Sequence, residues 1–339
     1  MEMESNISSI LIKKSMSMMK ERILWIDELK GFTIFLVIIG HILISRFLPQ
    51  FQLFHTVIYS FHMPLFMFLS GIFSYKALEA VDNQCKKKYL GKKILQLLVP
   101  CISGGVLLCL YHHENFFSQF LFKGGAYYWY LLTLLEFLTI FMLCYFLSKK
   151  WFLLLALIPW VIVLLLPANS IVANLVSQAN FTFTYPFLIY GYFFHKYRLM
   201  NGRTISGKEC LGNVCLLAIL ICLQLFIKAD YWAYVRYGVA FSVINIIVYL
   251  YVRIVSRIKS ISMIGYFGKN SLGIYVVHYF FLGFTPFGIM ESYIPSFLSV
   301  VQYSFVILSI STLILILSLL ACSVLEKNKI TRKILLGKL

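Results

Sequence analysis

Hydrophobic positions in this chain run on in long stretches, separated by short polar or basic connections. A bilayer's hydrocarbon core takes about 20 residues of helix to cross. On that scale ten stretches predict helices: Gly31–Leu48, Phe54–Tyr75, Ile94–Tyr111, Tyr127–Leu147, Trp151–Leu166, Phe181–His195, Leu211–Ile227, Trp232–Val252, Ser271–Ile289 and Phe297–Leu325. The fifth and sixth are short and contain Pro159 and Pro186. A proline frees backbone groups that find no water in lipid, so these two are predicted to be broken or tilted. The fold class is all-α: a polytopic integral membrane helical bundle of about ten transmembrane helices.

Composition agrees with that solvent. Of 339 residues 60% are hydrophobic and only 13% charged, with mean hydropathy +0.85; soluble domains carry roughly 25% charged residues. The first 22 residues are polar, contain Lys13, Lys14 and Lys20, and lack the apolar core and cleavage site of a signal peptide. They read as a short cytoplasmic tail.

A net charge of +17 raises the question of nucleic acid, but the placement of the charges answers it. With the amino terminus inside and ten helices following, all of the 30 Lys and Arg residues except Arg46, Lys123, Lys228 and Arg236 fall on the cytoplasmic side. Successive connections alternate between basic and nearly charge-free, as the positive-inside rule requires. Both termini are then cytoplasmic, in the cell (cytoplasmic or inner) membrane. Three parts follow: a cytoplasmic segment 1–30, a membrane domain 31–325 and a basic cytoplasmic tail 326–339. Eight scattered cysteines without a CxxC pair offer neither a disulfide framework nor a zinc site, and no metal is expected.

Once the topology is fixed, helix rise gives the depth of each ionisable residue. His41, eleven positions beyond Lys30, lies about 16 Å in, and His278, nine beyond Lys269, about 14 Å in. Glu136 and His62 both come out near 20 Å. Isolated in lipid such groups cost several kcal/mol, so they should face one another or a wet cavity. Each also has a bland reading as a helix-to-helix hydrogen bonder, with His62 held beside Pro64.

Several motifs then point the same way. The run Trp25–His41 holds Asp27, Lys30 and His41 with ten positions between the last two; FHMPLFMFLSGIFSYKA (Phe61–Ala77) carries Ser70 and Gly71; KKKYLGKKILQLLVP (Lys86–Pro100) is a basic loop and helix entrance ending in proline. YYWYLLTLLEF (Tyr127–Phe137) and NSLGIYVVHYF (Asn270–Phe280) follow. In this order the set resembles the acyltransferase 3 family of integral membrane acyltransferases over nearly the whole chain, and in overall plan the small sugar O-acetylases of the fucose 4-O-acetylase type. The resemblance implies transfer of an acyl group, usually acetyl from cytoplasmic acetyl-CoA, to a hydroxyl of a cell-surface carbohydrate or its lipid-linked precursor. It implies no permanently bound cofactor; acetyl-CoA is a cosubstrate. The family most often has arginine where this chain has Lys30, and lysine lacks the bidentate fork that grips phosphate.

The residues fit that chemistry on their own account. An alcohol is a poor nucleophile at neutral pH, and neutral imidazole is suited to take its proton as the bond forms. The expected catalytic residues are therefore His41, Glu136 and His278. Burial would keep His41 neutral and a nearby carboxylate such as Glu136 would oppose that; the sequence leaves the balance open. A polyphosphate donor needs cations, which places Lys30, Lys88, Lys92 and Lys93 with Ser70 as the expected donor-binding set. The lysines read equally as positive-inside charge or contacts to anionic lipid, and Ser70–Gly71 as a close-packing pair. Lys30 and His41 are about three turns apart, near one face of one helix, which predicts that the first helix lines a donor tunnel. The partners expected are acetyl-CoA, a carbohydrate acceptor and the lipid bilayer, with no nucleic acid. The competing reading is a transporter or flippase of a glycan precursor, which also shows broken helices and midplane charges; a catalytically silent sensor is a third.

Overall fold

The computed structural model describes residues 25–43, 51–80, 83–122, 126–167, 170–224, 232–253, 262–284 and 300–338. Within them every regular element is helical. Within the described residues a helix overlaps each of the ten apolar stretches: α1 (25–43), α2 (Gln52–Ala80), α3 (Asn83–Tyr111), α5 (Trp129–Leu147), α6 (Phe152–Leu164), α8 (Gln178–Phe194), α9 (Gly207–Gln224), α10 (Trp232–Arg253), α12 (Ser271–Phe284) and α13 (Val300–Leu325); the rest of the stretches Gly31–Leu48, Leu211–Ile227, Ser271–Ile289 and Phe297–Leu325 lies outside them. Short helices α4 (Phe116–Phe122), α7 (Ile171–Leu175), α11 (Ser262–Lys269) and α14 (Lys329–Ile334) lie between or after them. Among the described residues five helices are long and apolar enough to cross a membrane: Phe54–Tyr75, Gly91–Tyr111, Trp129–Leu147, Tyr234–Arg253 and Val301–Leu325. Phe152–Leu164 and Ser271–Leu282 are apolar but shorter. The described residues are thus all-helical, in a multi-pass membrane protein.

Pro159 and Pro186 do not break their helices, contrary to the first of the two expectations: α6 and α8 continue through them. At Pro186 the reason is visible. The carbonyl it frees, that of Thr182 four residues earlier, accepts from Trp160 Nε1 at 2.8 Å and from the Tyr237 hydroxyl at 3.2 Å. Donors on α6 and α10 replace the missing amide, which is what an apolar solvent requires. Past Phe194 the helix widens into one π-helical turn, His195–Leu199, and His195 Nδ1 donates to the Ile72 carbonyl of α2 at 2.7 Å.

α2 is the central helix and packs most extensively on α8. Gly71 and Gly191 make the crossing possible: a Cβ at Gly71 would collide with the Leu188 carbonyl, and one at Gly191 with the Phe68 carbonyl. Small residues at such a crossing let two backbones touch where lipid offers no hydrophobic drive between helices. The core around it is aromatic, with Phe68, Phe137, Phe141, Tyr185, Tyr192 and Phe194 fully buried. α1 is sunk beside it; Leu29, Ile34, Val37, Ile38 and Ile42 are at most 1% exposed. Trp25 and Ile26 are buried as well, and the helix continues unbroken through Lys30, so the division at residue 30 falls inside an element.

The segment after α13 is folded against the bundle. Ser103 Oγ of α3 donates to the Ile334 carbonyl at 2.8 Å, and Leu336 is buried beside Gly273 and Cys322. Lys338 pairs with Glu326 and donates to Asn270 Oδ1 at 2.9 Å. Gly337 takes a φ of 62° and lies so close to the Gln96 carbonyl that a side chain there would collide with it.

Candidate active site

Two neighbouring regions hold five of the eight expected site residues, Lys30, Lys93 and Ser70 in the first and His41 and His278 in the second. The first is a cavity of about 380 Å³ among α1, α2, α3, α5 and α12. Asp27, Lys30, Lys93 and Gln96 stand at one end, and Phe66, Tyr130 and Tyr275 at the other. Along α5 it extends from Met142 to Tyr130, twelve residues or about 18 Å of helix. Lys30 Nζ sits 3.8 Å from the Phe73 ring centroid, a cation held over a π face. Burial beside that ring pushes the Lys30 amine down to about 8; Asp27 opposes the shift and Lys93 adds to it. Asp27 in turn is raised by burial, against the pull of Lys30 and Lys269. Lys93 Nζ donates to Gln96 Oε1 at 2.9 Å.

Of the expected donor-binding residues, the cavity gathers Lys30, Lys93 and Ser70. Lys92 is exposed and does not line it, and the side chain of Lys88 lies outside the described residues. The wall also differs from the predicted one: between Lys30 and His41 no α1 residue reaches the cavity. The intervening positions are the buried Ile34, Val37 and Ile38, which pack in the core, so α2, α5 and α12 line the path instead.

The second region begins behind the aromatic end of the cavity. Phe66, Tyr130 and Tyr275 lie ring against ring, with centroids 5.5 Å apart for Phe66–Tyr130 and 5.3 Å for Tyr130–Tyr275. Ser70 Oγ is 3.4 Å from the Tyr130 hydroxyl on the cavity side. One helical turn past Tyr275 on α12 is His278, and one turn past Phe66 on α2 is His62. His41 of α1 completes the group: its Nε2 is 3.1 Å from the Tyr279 hydroxyl, and its ring centroid is 5.4 Å from that of His278. His62 is within electrostatic reach of His41.

Backbone carbonyls fix two of these imidazoles. His278 Nδ1 meets the Tyr275 carbonyl at 2.7 Å and the Ile274 carbonyl at 3.2 Å, and His62 Nδ1 meets the Ile58 carbonyl at 2.7 Å. A carbonyl only accepts, so Nδ1 carries the hydrogen and, in a neutral ring, Nε2 is left with a lone pair. In His278 that Nε2 is buried and has no partner among the described residues. An acceptor so placed costs of order 1–3 kcal/mol until a donor reaches it, which marks it as a place for a substrate hydroxyl or a transferred proton. α12 is held in register from α5's approach: Tyr128, fully buried, donates its hydroxyl to the Val276 carbonyl at 2.7 Å, and the Tyr275 hydroxyl reaches the Tyr127 carbonyl at 3.4 Å.

Glu136 is on α5 but lines neither region. Its Oε2 is buried without a partner, and the group it acts on electrostatically is the Cys101 thiol of α3. Two residues of helix turn it about 200° from Leu134 and Leu138, which do face the cavity. Among the described residues no carboxylate acts electrostatically on His41, His62 or His278. The site residues that sequence reasoning passed over are Tyr279, Tyr130 and Tyr128. Tyr279, next in sequence to His278, carried no signal beyond that adjacency.

Fold and site together define a multi-pass helical membrane protein with a basic-mouthed cavity ending at a buried histidine–tyrosine cluster. Residues 23–322 match the family model described as an acyltransferase domain, so the chain belongs to the acyltransferase 3 family. Nodulation protein NolL of Sinorhizobium fredii (strain NBRC 101917 / NGR234) is 30% identical over 212 residues, covering 56% of this chain and 55% of that protein. The chain thus spans about half the length of this curated relative. No solved structure matches it.

Proposed function

We propose that the protein transfers acetyl from acetyl-CoA to a hydroxyl of a cell-surface carbohydrate or its lipid-linked precursor, with ten spans, both termini cytoplasmic, in the cytoplasmic membrane. The observation that carries this reading is the 380 Å³ cavity that joins Lys30 and Lys93 to the partition in front of His41 and His278. The donor's phosphates lie at the two lysines, which as a pair raise the local concentration of a polyanion. The thin pantetheine arm follows α2 and α5 inward, past Ser70, and the thioester reaches the cluster where Tyr130 and Tyr275 part.

At the cluster the acceptor hydroxyl attacks the thioester carbonyl carbon while its proton passes to His41 Nε2. The Tyr279 hydroxyl meets that nitrogen at 3.1 Å; displaced by substrate, it is free to donate to the oxygen on which negative charge gathers. The tetrahedral intermediate collapses with cleavage of the C–S bond, and the imidazolium of His41 returns the proton to the departing thiolate. His278, its tautomer set by the Tyr275 carbonyl, stays neutral and offers Nε2 as a second acceptor in the cluster. A group of neutral rings suits a dry site, where an unpaired ion is far more costly than a polar group.

The test uses purified protein with radiolabelled acetyl-CoA and a panel of glycans, beside the His41→Ala variant. Label moving to glycan in the wild type and not in the variant supports the reading. Near-normal transfer by His41→Ala sinks the role of His41, and glycan flux across vesicles without acetyl-CoA would make the protein a transporter.

A further inference from the structure

On the far side of the histidine cluster from the cavity stands an arginine, Arg236, that meets no counter-charge among the described residues. The order along α2 is Leu78, Ser74, Ser70 and Phe66 on the cavity, then His62, then Tyr59. At Tyr59 the helix meets Arg236, near the start of α10: Arg236 Nη2 donates to the Tyr59 carbonyl at 3.4 Å. The guanidinium carbon lies 4.3 Å from the Phe183 ring centroid, and the charge is within electrostatic reach of His62. The Tyr59 ring, packed against His55 and His62, also touches Gly40, the residue before His41. Tyr59 thus carries Arg236 on its carbonyl and packs its ring between α1 and His62.

A guanidinium has five N–H donors. Among the described residues the single long bond to Tyr59 leaves most of them unused, and no carboxylate pairs with the charge. The protein's other well-placed arginine shows the contrast: Arg198 is held by both oxygens of Glu209, at 3.1 Å and 2.5 Å. A half-buried arginine among apolar helices is expensive to leave unpaired, and its planar fork matches a carboxylate or phosphate better than any other side chain does. His55 adds a second open position on the same face, a buried Nε2 with no protein partner.

We infer that Arg236 reads a negatively charged group on the acceptor, a carboxylate or a phosphate, and so selects acidic over neutral glycans. From Tyr59 to His62 is three residues, about 5 Å of helix. An acid held at Arg236 thus lies about one helical turn from His62, an imidazole of the cluster, and on the opposite side of it from the cavity, so it belongs to the acceptor and not to the donor. The inference rests on the acyl-transfer reading for its product, but its binding claim stands apart from that reading.

The experiment compares three glycosides on the purified full-length protein: hexyl glucoside, hexyl glucuronide and hexyl glucoside 6-phosphate. Each is measured for binding by equilibrium dialysis and for acetyl transfer, in wild type, Arg236→Gln and Arg236→Lys. The wild type is expected to favour at least one charged glycoside over the neutral one by about tenfold or more, the size of a charge-assisted hydrogen bond. That ratio should collapse to near one in Arg236→Gln and be partly kept in Arg236→Lys. The carboxylate and phosphate arms tell which acid is read. A wild-type ratio near one, or a ratio that survives Arg236→Gln, overturns the inference and leaves Arg236 as a packing residue. If Arg236→Gln does not accumulate, the wild-type ratio decides alone: it must exceed one and shrink as salt is raised. Charge-selective binding without acetyl transfer would instead remove the acyl-transfer assignment and keep the acid-reading site.

Discussion

The cavity and the histidine cluster lie one helical turn apart and solve the problem of polarity in a membrane in opposite ways. The cavity contains ions, Lys30, Lys93 and Asp27, and it has room around them. The cluster contains only imidazoles and phenols, packed ring to ring, with their hydrogens assigned by backbone carbonyls. Charge is placed where there is open space and a counter-charge; neutral hydrogen-bonding groups are placed where there is neither. The three rings of Phe66, Tyr130 and Tyr275 mark the boundary between the two regimes.

If that division is also a division of labour, changes in the cluster should act on turnover and changes in the cavity on donor affinity. The largest effect belongs to His41→Ala, expected to lower kcat by about 10²–10⁴-fold, the contribution of a positioned general base, with KM for the donor little changed. A steady-state comparison in acceptor excess reads both constants. An equal rise in KM would break the division.

Lys30→Ala comes next. Loss of one charge-assisted contact to phosphate, about 2 kcal/mol, should raise the donor's dissociation constant about thirtyfold while kcat at saturation holds. The same lysine predicts a pH dependence. Its amine, lowered to about 8, is charged below that value and neutral above it, so donor affinity should be full at pH 7 and fall as pH rises through about 8. Lys30→Arg, whose guanidinium stays charged, should flatten that fall, and a profile that is identical in both proteins would exclude Lys30 from donor binding.

Smaller again is Tyr128→Phe, which removes the hydroxyl holding the Val276 carbonyl two residues before His278. A net hydrogen bond of about 1 kcal/mol corresponds to roughly a fivefold loss, expected in kcat. Its appearance in donor KM instead would place α12's register on the cavity side of the boundary. Ser70→Ala should be the mildest, less than about threefold on donor KM, because its contact to Tyr130 is long at 3.4 Å.

Charge and hydropathy made the helices readable, and helix rise made depth readable, so His41, His62 and His278 were expected at one level and do meet there. Azimuth was not readable in the same way. Glu136 has a similar depth, yet two residues of rotation carry it away from the cavity toward Cys101. Lys92 and Lys93 differ by 100° of helix, and only Lys93 faces inward. In a segment apolar on every side, no polar stripe tells which face is inside. The prolines show a second limit. The carbonyl freed by Pro186 finds its donors on Trp160 and Tyr237, far away in sequence, and nothing local announces the rescue. The tunnel wall was misassigned for a related reason, since Ile34, Val37 and Ile38 look alike whether they line a passage or plug a core.

The folded segment behind α13 bears on how the protein can be handled. Gly337 is pressed onto the backbone of Gln96, the residue whose side chain holds Lys93 at the cavity mouth. A purification handle joined directly behind Leu339 therefore starts only two residues from a wall of the proposed donor chamber, while one joined ahead of Met1 is attached 24 residues before Trp25, at the other end of the sequence. Donor affinities measured with the two fusions would differ, and the difference would report the tag, not the enzyme.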